Sequence, residues 1–139
     1  MDANMWVILA SAVLAMAFGA LWYGPLWGKL WLEVSGATEA DMARREEMMK
    51  ETNVLYAIQF ALSVMQLYVL SSFVSDAWDL ADGVKASLLI WLGFVVPTIA
   101  GLAMWNARPR KARIAMFLLS AGYQFCCFLA FGIILSIWQ

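Results

Sequence analysis

The chain consists of four long apolar runs that are separated by short polar segments. The runs cover approximately residues 4–23, 54–74, 84–105 and 114–138. Each is close to the roughly 20 residues that an α-helix needs to cross the ~30 Å hydrocarbon core of a bilayer. Apolar and polar positions do not alternate within the runs, as they would in a transmembrane β-strand. The pattern therefore predicts an all-α membrane protein with four transmembrane helices.

The segment after the first run has a different pattern, and residues 20–31 read ALWYGPLWGKLW. The Gly24-Pro25 pair predicts that the first helix ends there, because Pro25 suits the first turn of a new helix. From Trp27 to Val34 apolar side chains recur at helical spacing, while Lys29 points elsewhere. This pattern favours a short helix lying flat at the membrane interface, although a simple aromatic belt is the alternative. The predicted interface anchors are Trp22, Tyr23, Trp27, Lys29 and Trp31.

The sequence TEADMARREEMMKE follows, and its polarity predicts a cytoplasmic linker helix before the second span. Thr38 and Asp41 have the spacing of a helix-capping box, which would start this helix. We interpret it as a solvated linker, and a helix that docks a partner is the alternative. Residues 25–52 thus hold the interfacial and linker helices of a single domain that covers residues 1–139.

The composition excludes an ordinary soluble domain. Hydrophobic residues make up 64% of the chain and charged residues only 14%, whereas about a quarter of a soluble domain is charged. A chain of this size buries only about two-thirds of its surface on folding, so it could not hide so much apolar area. Lipid is therefore the expected solvent. The first run lacks the basic start and the cleavage site of a signal peptide, and we expect it to be retained as a span.

The positive charges are distributed unequally between the two sides of the predicted membrane domain. Eight of the nine lysines and arginines fall in the segments 24–53 and 106–113, and Lys85 is the one cation on the other side. The positive-inside rule therefore predicts that both basic segments are cytoplasmic and both termini are outside. We expect the segment 106–113 to fix the topology and to touch anionic lipid rather than nucleic acid.

Few side chains could perform chemistry within the membrane. The sequence has no histidine, which is the usual general base and the commonest metal ligand. All ten acidic residues lie in loops or at span ends, so no buried carboxylate is available as a proton relay. Cys126 and Cys127 are adjacent in a helix, where a disulfide would be strained, and we interpret them as small hydrophobic residues. The sequence therefore predicts no enzyme, no metal and no cofactor.

Uncharged polar residues form stripes at helical spacing in the second and fourth spans, and single polar residues occur in the other two. At a rise of about 1.5 Å per residue, these groups fall at matching depths in the membrane. Polar groups facing lipid are costly, so we expect them to face protein. They either hydrogen-bond the helices together or line a cavity for a small uncharged solute. The set consists of Ser11, Gln59, Ser63, Gln66, Thr98, Ser120, Tyr123 and Gln124.

Small residues recur every four positions in the third span, at Gly93, Pro97 and Gly101. Small residues allow helix backbones to approach closely, and the proline is expected to kink the helix. We therefore predict that this face packs against another helix. A bundle of four spans has few places to bury this face, so the helix is in the same bundle, in a second copy of the chain or in a larger membrane complex.

Three blocks of the sequence resemble a known family. The blocks GALWYGPLWGKLWLEVSGATEADM, WLGFVVPTIA and SAGYQF are similar to those of a bacterial membrane family catalogued as domain of unknown function 1761. The resemblance covers nearly the whole chain, and it implies four spans in a bacterial inner membrane without an assigned activity. Together with the residues above, it favours a non-enzymatic, self-associating bundle that binds or passes a small uncharged or apolar solute. An accessory subunit of a larger complex is the alternative.

Overall fold

Each apolar run forms a helix in the computed structural model, which describes residues 4–36, 47 and 50–138. The predicted capping box at Thr38 and Asp41, and most of the linker helix, lie outside these residues. The helices are α1 (Met5–Leu21), α2 (Gly28–Val34), α3 (Thr52–Val74), α4 (Leu80–Ile90), α5 (Val96–Met104) and α6 (Arg110–Trp138). A π-turn at Trp22–Leu26 extends α1, and another at Trp91–Val95 joins α4 to α5.

Four continuous helical segments are long and apolar enough to cross a membrane. They are Met5–Leu26, Thr52–Val74, Leu80–Met104 and Arg110–Trp138, and we call them the first to fourth spans. The part of the chain that the structure describes contains helices, turns and loops but no β-strand. This confirms the predicted all-α, four-span architecture. It also confirms a short helix after the first span, whereas its position at the membrane interface stays a prediction.

Polar side chains cap the starts of two of the spans. The side chain of Asn4 accepts a hydrogen bond from the backbone N–H of Val7 at 3.4 Å, which starts α1. Asp79 accepts from the backbone N–H of Asp82 at 2.9 Å and starts the third span at Leu80 rather than at residue 84. Such caps satisfy N–H groups that have no partner inside the helix.

The prediction that the first helix ends at Gly24 and a new one begins at Pro25 is wrong. The backbone stays helical through Leu26 as a π-turn, and the N–H of Trp27 bonds to the carbonyl of Trp22 at 3.0 Å. Proline lacks the N–H for a regular helical bond, and the wider π-turn takes up this irregularity inside the helix. The break therefore follows Trp27, and α2 begins at Gly28.

The core lies mainly in one half of the bundle. We call the residues 5–15, 63–74, 80–91 and 127–138 the terminal half, because they adjoin the two ends of the chain. The remaining parts of the spans, together with α2 and the loop after α5, form the basic half. Every buried residue in the described part of the chain lies in the terminal half, with four exceptions. The exceptions are Val34, Ala103, Leu119 and Ala121.

The fourth span is the centre of the packing. It contacts each of the other three spans and also α2, and its longest contact is with α4. Large core side chains such as Phe128, Phe131 and Leu135 come from this span, and they pack against Ile8 and Leu67 of the first two. In the fourth span, 39% of the most apolar stretch is buried inside the bundle. In the third span this share is only 11%. The third span thus presents most of its surface away from the bundle.

Candidate functional site

Directional hydrogen bonds join the first and fourth spans near the middle of the bundle. The indole Nε1 of Trp22 donates to the carbonyl oxygen of Leu119 at 3.1 Å. In the opposite direction, the hydroxyl of Tyr123 donates to the carbonyl of Ala15 at 2.7 Å. Gly19 makes room for this contact, since a Cβ there would lie 2.9 Å from the hydroxyl oxygen of Tyr123. The two bonds fix the height and the rotation of these spans relative to each other.

Two further side chains of the third span hydrogen-bond to the fourth. The indole Nε1 of Trp91 donates to the carbonyl of Ala121 at 3.2 Å. The Ser87 hydroxyl donates to the carbonyl of Phe128 at 2.6 Å. Sequence reasoning did not assign either donor. Trp91 carried a usable signal, because a tryptophan far from the span ends needs a partner for its N–H.

An aromatic cluster occupies the junction of the first span, α2 and the fourth span. Phe18 stacks on Tyr123 with ring centroids 5.5 Å apart, and Tyr23 meets Trp31 edge to face at 5.1 Å. Trp22 lies 6.0 Å from Trp27. We use the name aromatic cluster for Phe18, Trp22, Tyr23, Trp27, Trp31 and Tyr123.

The cluster includes four of the five predicted interface anchors. Trp22, Tyr23 and Trp31 are half-buried, whereas Trp27 is exposed. The fifth anchor, Lys29, is exposed on α2. Stacked rings of this kind hold α2 against the bundle. Contact of the exposed groups with lipid headgroups stays a prediction.

Part of the predicted polar set makes hydrogen bonds within its own helix. The Ser63 hydroxyl donates to the carbonyl of Gln59 at 2.9 Å, and the Gln59 amide lies 3.5 Å from the Ser63 oxygen. Thr98 donates to the carbonyl of Phe94 at 2.6 Å. Gln59 and Thr98 are exposed. The bonds of these three residues are therefore local, and they do not join two spans.

The other part of the predicted set lies deeper. The Ser11 hydroxyl is buried and has no hydrogen-bond partner in the described part of the chain. The Ser120 side chain lies beside that of Tyr23. Gln66 and Gln124 are half-buried on the second and fourth spans, which contact each other. Neither amide has a hydrogen-bond partner within residues 4–36, 47 and 50–138. These unpaired polar groups are the ones that a small solute or water would satisfy.

No helix in the described part of the chain covers the small-residue face of the third span. A Cβ built on Gly93 or on Gly101 meets no other atom within 4 Å, and Pro97 is exposed. The neighbouring side chains Phe94 and Leu102 are 72% and 74% exposed. The predicted helix partner of this face is therefore not another span of the same molecule.

Two of the arginines after the third span cap helices. Arg108 Nε donates to the carbonyl of Val34, the last residue of α2, at 3.3 Å. Arg113 Nη1 donates to the carbonyl of Met104, the last residue of α5, at 2.8 Å. Cations are favourable at helix C-termini, where carbonyl groups lack partners and the dipole is negative. The basic charge of these residues predicted a role in topology, and their sequence positions did not indicate this structural role.

The titratable groups form no metal centre in the part of the chain that the structure describes. No three histidine, cysteine, aspartate or glutamate residues lie close enough there to hold a metal ion. Cys126 and Cys127 are free thiols, and Cys127 is buried. The arrangement can hold helices together and accept uncharged hydrogen-bonding groups, but these residues offer no evident ligand set for metal chemistry.

Comparison with known proteins assigns the chain to a family. No curated protein and no solved structure matches the chain. A family model matches residues 6–136, which include all of the second and third spans and all but the outer ends of the first and fourth. Because the match extends over nearly the whole sequence, the chain belongs to the family described as protein of unknown function (DUF1761).

Proposed function

We propose that the protein is a non-enzymatic inner-membrane bundle that self-associates through the small-residue face of its third span. The face of Gly93, Pro97 and Gly101 carries this proposal because nothing within the described chain packs on it. Without a hydrophobic driving force between helices in lipid, close backbone packing at small residues is a main source of association energy. A second copy offers a surface of the same shape.

The proposal includes a small uncharged or apolar solute as the ligand of the bundle. Ser11, Gln66 and Gln124 support this part, because their polar groups are buried or half-buried without partners in the described residues. A buried donor or acceptor without a partner costs about 1–3 kcal/mol, which a solute or water would recover. The lack of histidine and of intramembrane carboxylates supports binding or passage rather than catalysis.

The orientation of the proposed bundle rests on its charges. The two basic segments lie at the same end of the bundle, since Arg108 contacts Val34 of α2 directly. Placing this end in the cytoplasm follows the positive-inside rule and leaves both termini in the periplasm. The acidic residues Asp76, Asp79 and Asp82 then lie on the periplasmic side.

The self-association is tested by filling the small-residue face. Gly93→Leu and Gly101→Leu should each weaken the free energy of association by at least ~1 kcal/mol, because the bulky side chain separates the two backbones. The oligomer fraction in a mild detergent should therefore fall. The oligomer fraction is measured by size-exclusion chromatography with light scattering. Ala61→Leu is the matched control, since Ala61 is exposed on the second span.

The elution profiles distinguish the possible roles of this face. If both glycine variants elute like the parent and the control, the third span faces lipid and the proposal is wrong. If the parent elutes with a different protein that the glycine variants lose, the accessory-subunit function is favoured instead. Monomeric elution of both the parent and the variants would also contradict self-association.

The solute is tested by a double-mutant cycle on Gln66 and Gln124. If a solute or water satisfies the two amides, Gln66→Leu and Gln124→Leu should change the thermal stability by small and additive amounts. A solute that binds the folded state should stabilise the parent by mass action, and this gain should vanish in the double variant.

The opposite result would assign the two amides to packing. If they bond to each other in a dry interior, Gln66→Leu alone should cost about 1–3 kcal/mol, and adding Gln124→Leu should recover part of the loss. Strong coupling without any solute effect would contradict the cavity. The measurement is thermal unfolding in detergent, with and without candidate solutes.

A further inference from the structure

A groove lies between the end of the third span and the start of the fourth, in the basic half. Its volume is about 390 Å³. The walls are mainly apolar, and two arginines stand among the lining residues. We call it the arginine groove, and its lining includes Ala100, Ala103, Ile114, Phe117, Arg110 and Arg113.

Arg113 is held in place but keeps unused hydrogen-bonding capacity. Its Nη1 donates to the carbonyl of Met104, which fixes the side chain against the end of α5. Its Nε is buried and has no partner in the described part of the chain. A guanidinium group has five N–H donors, and it binds phosphate oxygens well through two of them at once.

Arg110 supplies a second charge at the same groove. It lies one helical turn before Arg113, and its exposed side chain makes no hydrogen bond or ion pair with any residue that the structure describes. Arg110 is also the first residue of α6, whose unpaired N–H groups and dipole favour an anion at this end. The fixed Arg113 and the free Arg110 thus form a positive site beside an apolar wall.

We infer that the arginine groove binds one anionic phospholipid. Its phosphate pairs with Arg110 and Arg113, and an acyl chain lies against the apolar wall formed by Ala103, Ile114 and Phe117. Charge complementarity selects the anionic headgroup, because basic groups between membrane helices attract acidic lipids. The apolar wall selects a lipid over a soluble anion, since a free phosphate gains nothing from it.

The inference is tested with the full chain, purified in a neutral detergent. Phosphatidylglycerol, phosphatidylethanolamine with the same acyl chains, and inorganic phosphate are added separately. Native mass spectrometry counts the retained lipids, and thermal unfolding measures the stabilisation. The parent should retain and be stabilised by phosphatidylglycerol, with a weaker effect of phosphatidylethanolamine and none of phosphate at equal concentration.

Arg110→Gln and Arg113→Gln should each weaken the retention of phosphatidylglycerol about fivefold, the effect of one cation at an anionic lipid site. Lys111→Gln is the matched control, because it removes the same charge from a neighbouring exposed residue outside the groove lining. If Arg113→Gln does not fold after losing its bond to Met104, Arg110→Gln still decides the test.

A second variant tests the apolar wall without changing any charge. Ala100→Leu fills part of the groove and should also weaken the retention of phosphatidylglycerol, whereas Ala61→Leu on the second span should not. Equal losses in Lys111→Gln and Arg110→Gln would indicate a diffuse surface charge and overturn the inference. Equal stabilisation by inorganic phosphate and by phosphatidylglycerol would overturn the lipid as the ligand.

Discussion

The two halves of the bundle are held together by different interactions. In the terminal half, interlocking side chains form a continuous core, in which Ile8, Leu67 and Leu135 are fully buried. In the basic half, stacked rings and arginine caps replace that core, and Val54 and Leu102 are 60% and 74% exposed. The hydrogen bonds that Trp22, Trp91 and Tyr123 donate between spans are accepted by residues in the basic half or at its boundary. The acceptors are Leu119, Ala121 and Ala15.

This difference separates stability from recognition. A close-packed core tolerates volume changes poorly. Ring stacks and single hydrogen bonds hold helices at defined points, and they leave grooves and uncovered faces between those points. The small-residue face, the unpaired amide of Gln124 and the arginine groove all belong to the basic half. We therefore expect substitutions in the packed core of the terminal half to affect folding and most of those in the basic half to affect binding. Ser11 and Gln66 are the candidate solute contacts that lie in the terminal half.

The largest effect is expected at Gly132 in the terminal half. A Cβ at this position would lie 2.9 Å from the Cβ of Ser87 and 3.1 Å from the Cα of Val84. Gly132→Ala should therefore push the third span away from the fourth and lower the free energy of unfolding by about 2 kcal/mol. The loss is measured by thermal or denaturant unfolding in detergent.

Gly122 on the same helix is the matched control for this prediction. A Cβ there would meet the ring of Trp22 at 3.5 Å, which is an ordinary contact. Gly122→Ala should leave the stability unchanged or raise it slightly, because alanine also favours the helix. Equal effects of the two substitutions would contradict the contrast between the halves.

A smaller effect is expected from Tyr123, whose hydroxyl bonds to the Ala15 carbonyl. Tyr123→Phe keeps the ring stacked on Phe18 and removes this bond together with the contact of the hydroxyl with the Cys127 thiol. Hydrogen bonds between membrane helices contribute roughly 0.6 kcal/mol on average, and we expect a loss of that size in thermal unfolding. Tyr56→Phe on the exposed start of the second span is the control and should change nothing. If Tyr123→Phe lowered the stability more than Gly132→Ala does, the expectation that packing in the terminal half contributes more to stability would be wrong.

The spans were predictable from the sequence because apolar content and length alone decide whether a helix can cross a bilayer. Their ends were less predictable, because they depend on single polar residues. Asp79 caps the third span, which begins at Leu80, four residues before its expected start. The π-turn continues the first helix past Pro25. Both features lie at the edges of the apolar pattern.

The candidate site was harder to predict because helical spacing identifies a face but not what the face meets. Periodicity placed Gln59 and Ser63 on one stripe, and matching depth placed Thr98 at the level of Gln59, yet their polar groups bond within their own helices. Hydroxyl groups often do so, since the carbonyl one turn earlier is always within reach. The donors that join spans, such as Trp22 and Trp91, follow no periodic pattern, and only a three-dimensional structure reveals their acceptors.

The π-turn at Trp91–Val95 has a consequence for how insertions and deletions act on this chain. A π-turn holds about one residue more than a regular turn, so each residue after it is displaced by roughly 100° around the helix axis. Loss of one residue from this turn would rotate the whole of α5 by the same angle. A different set of α5 side chains would then meet the fourth span. The length of a five-residue segment thereby determines which surface the third span offers to its surroundings.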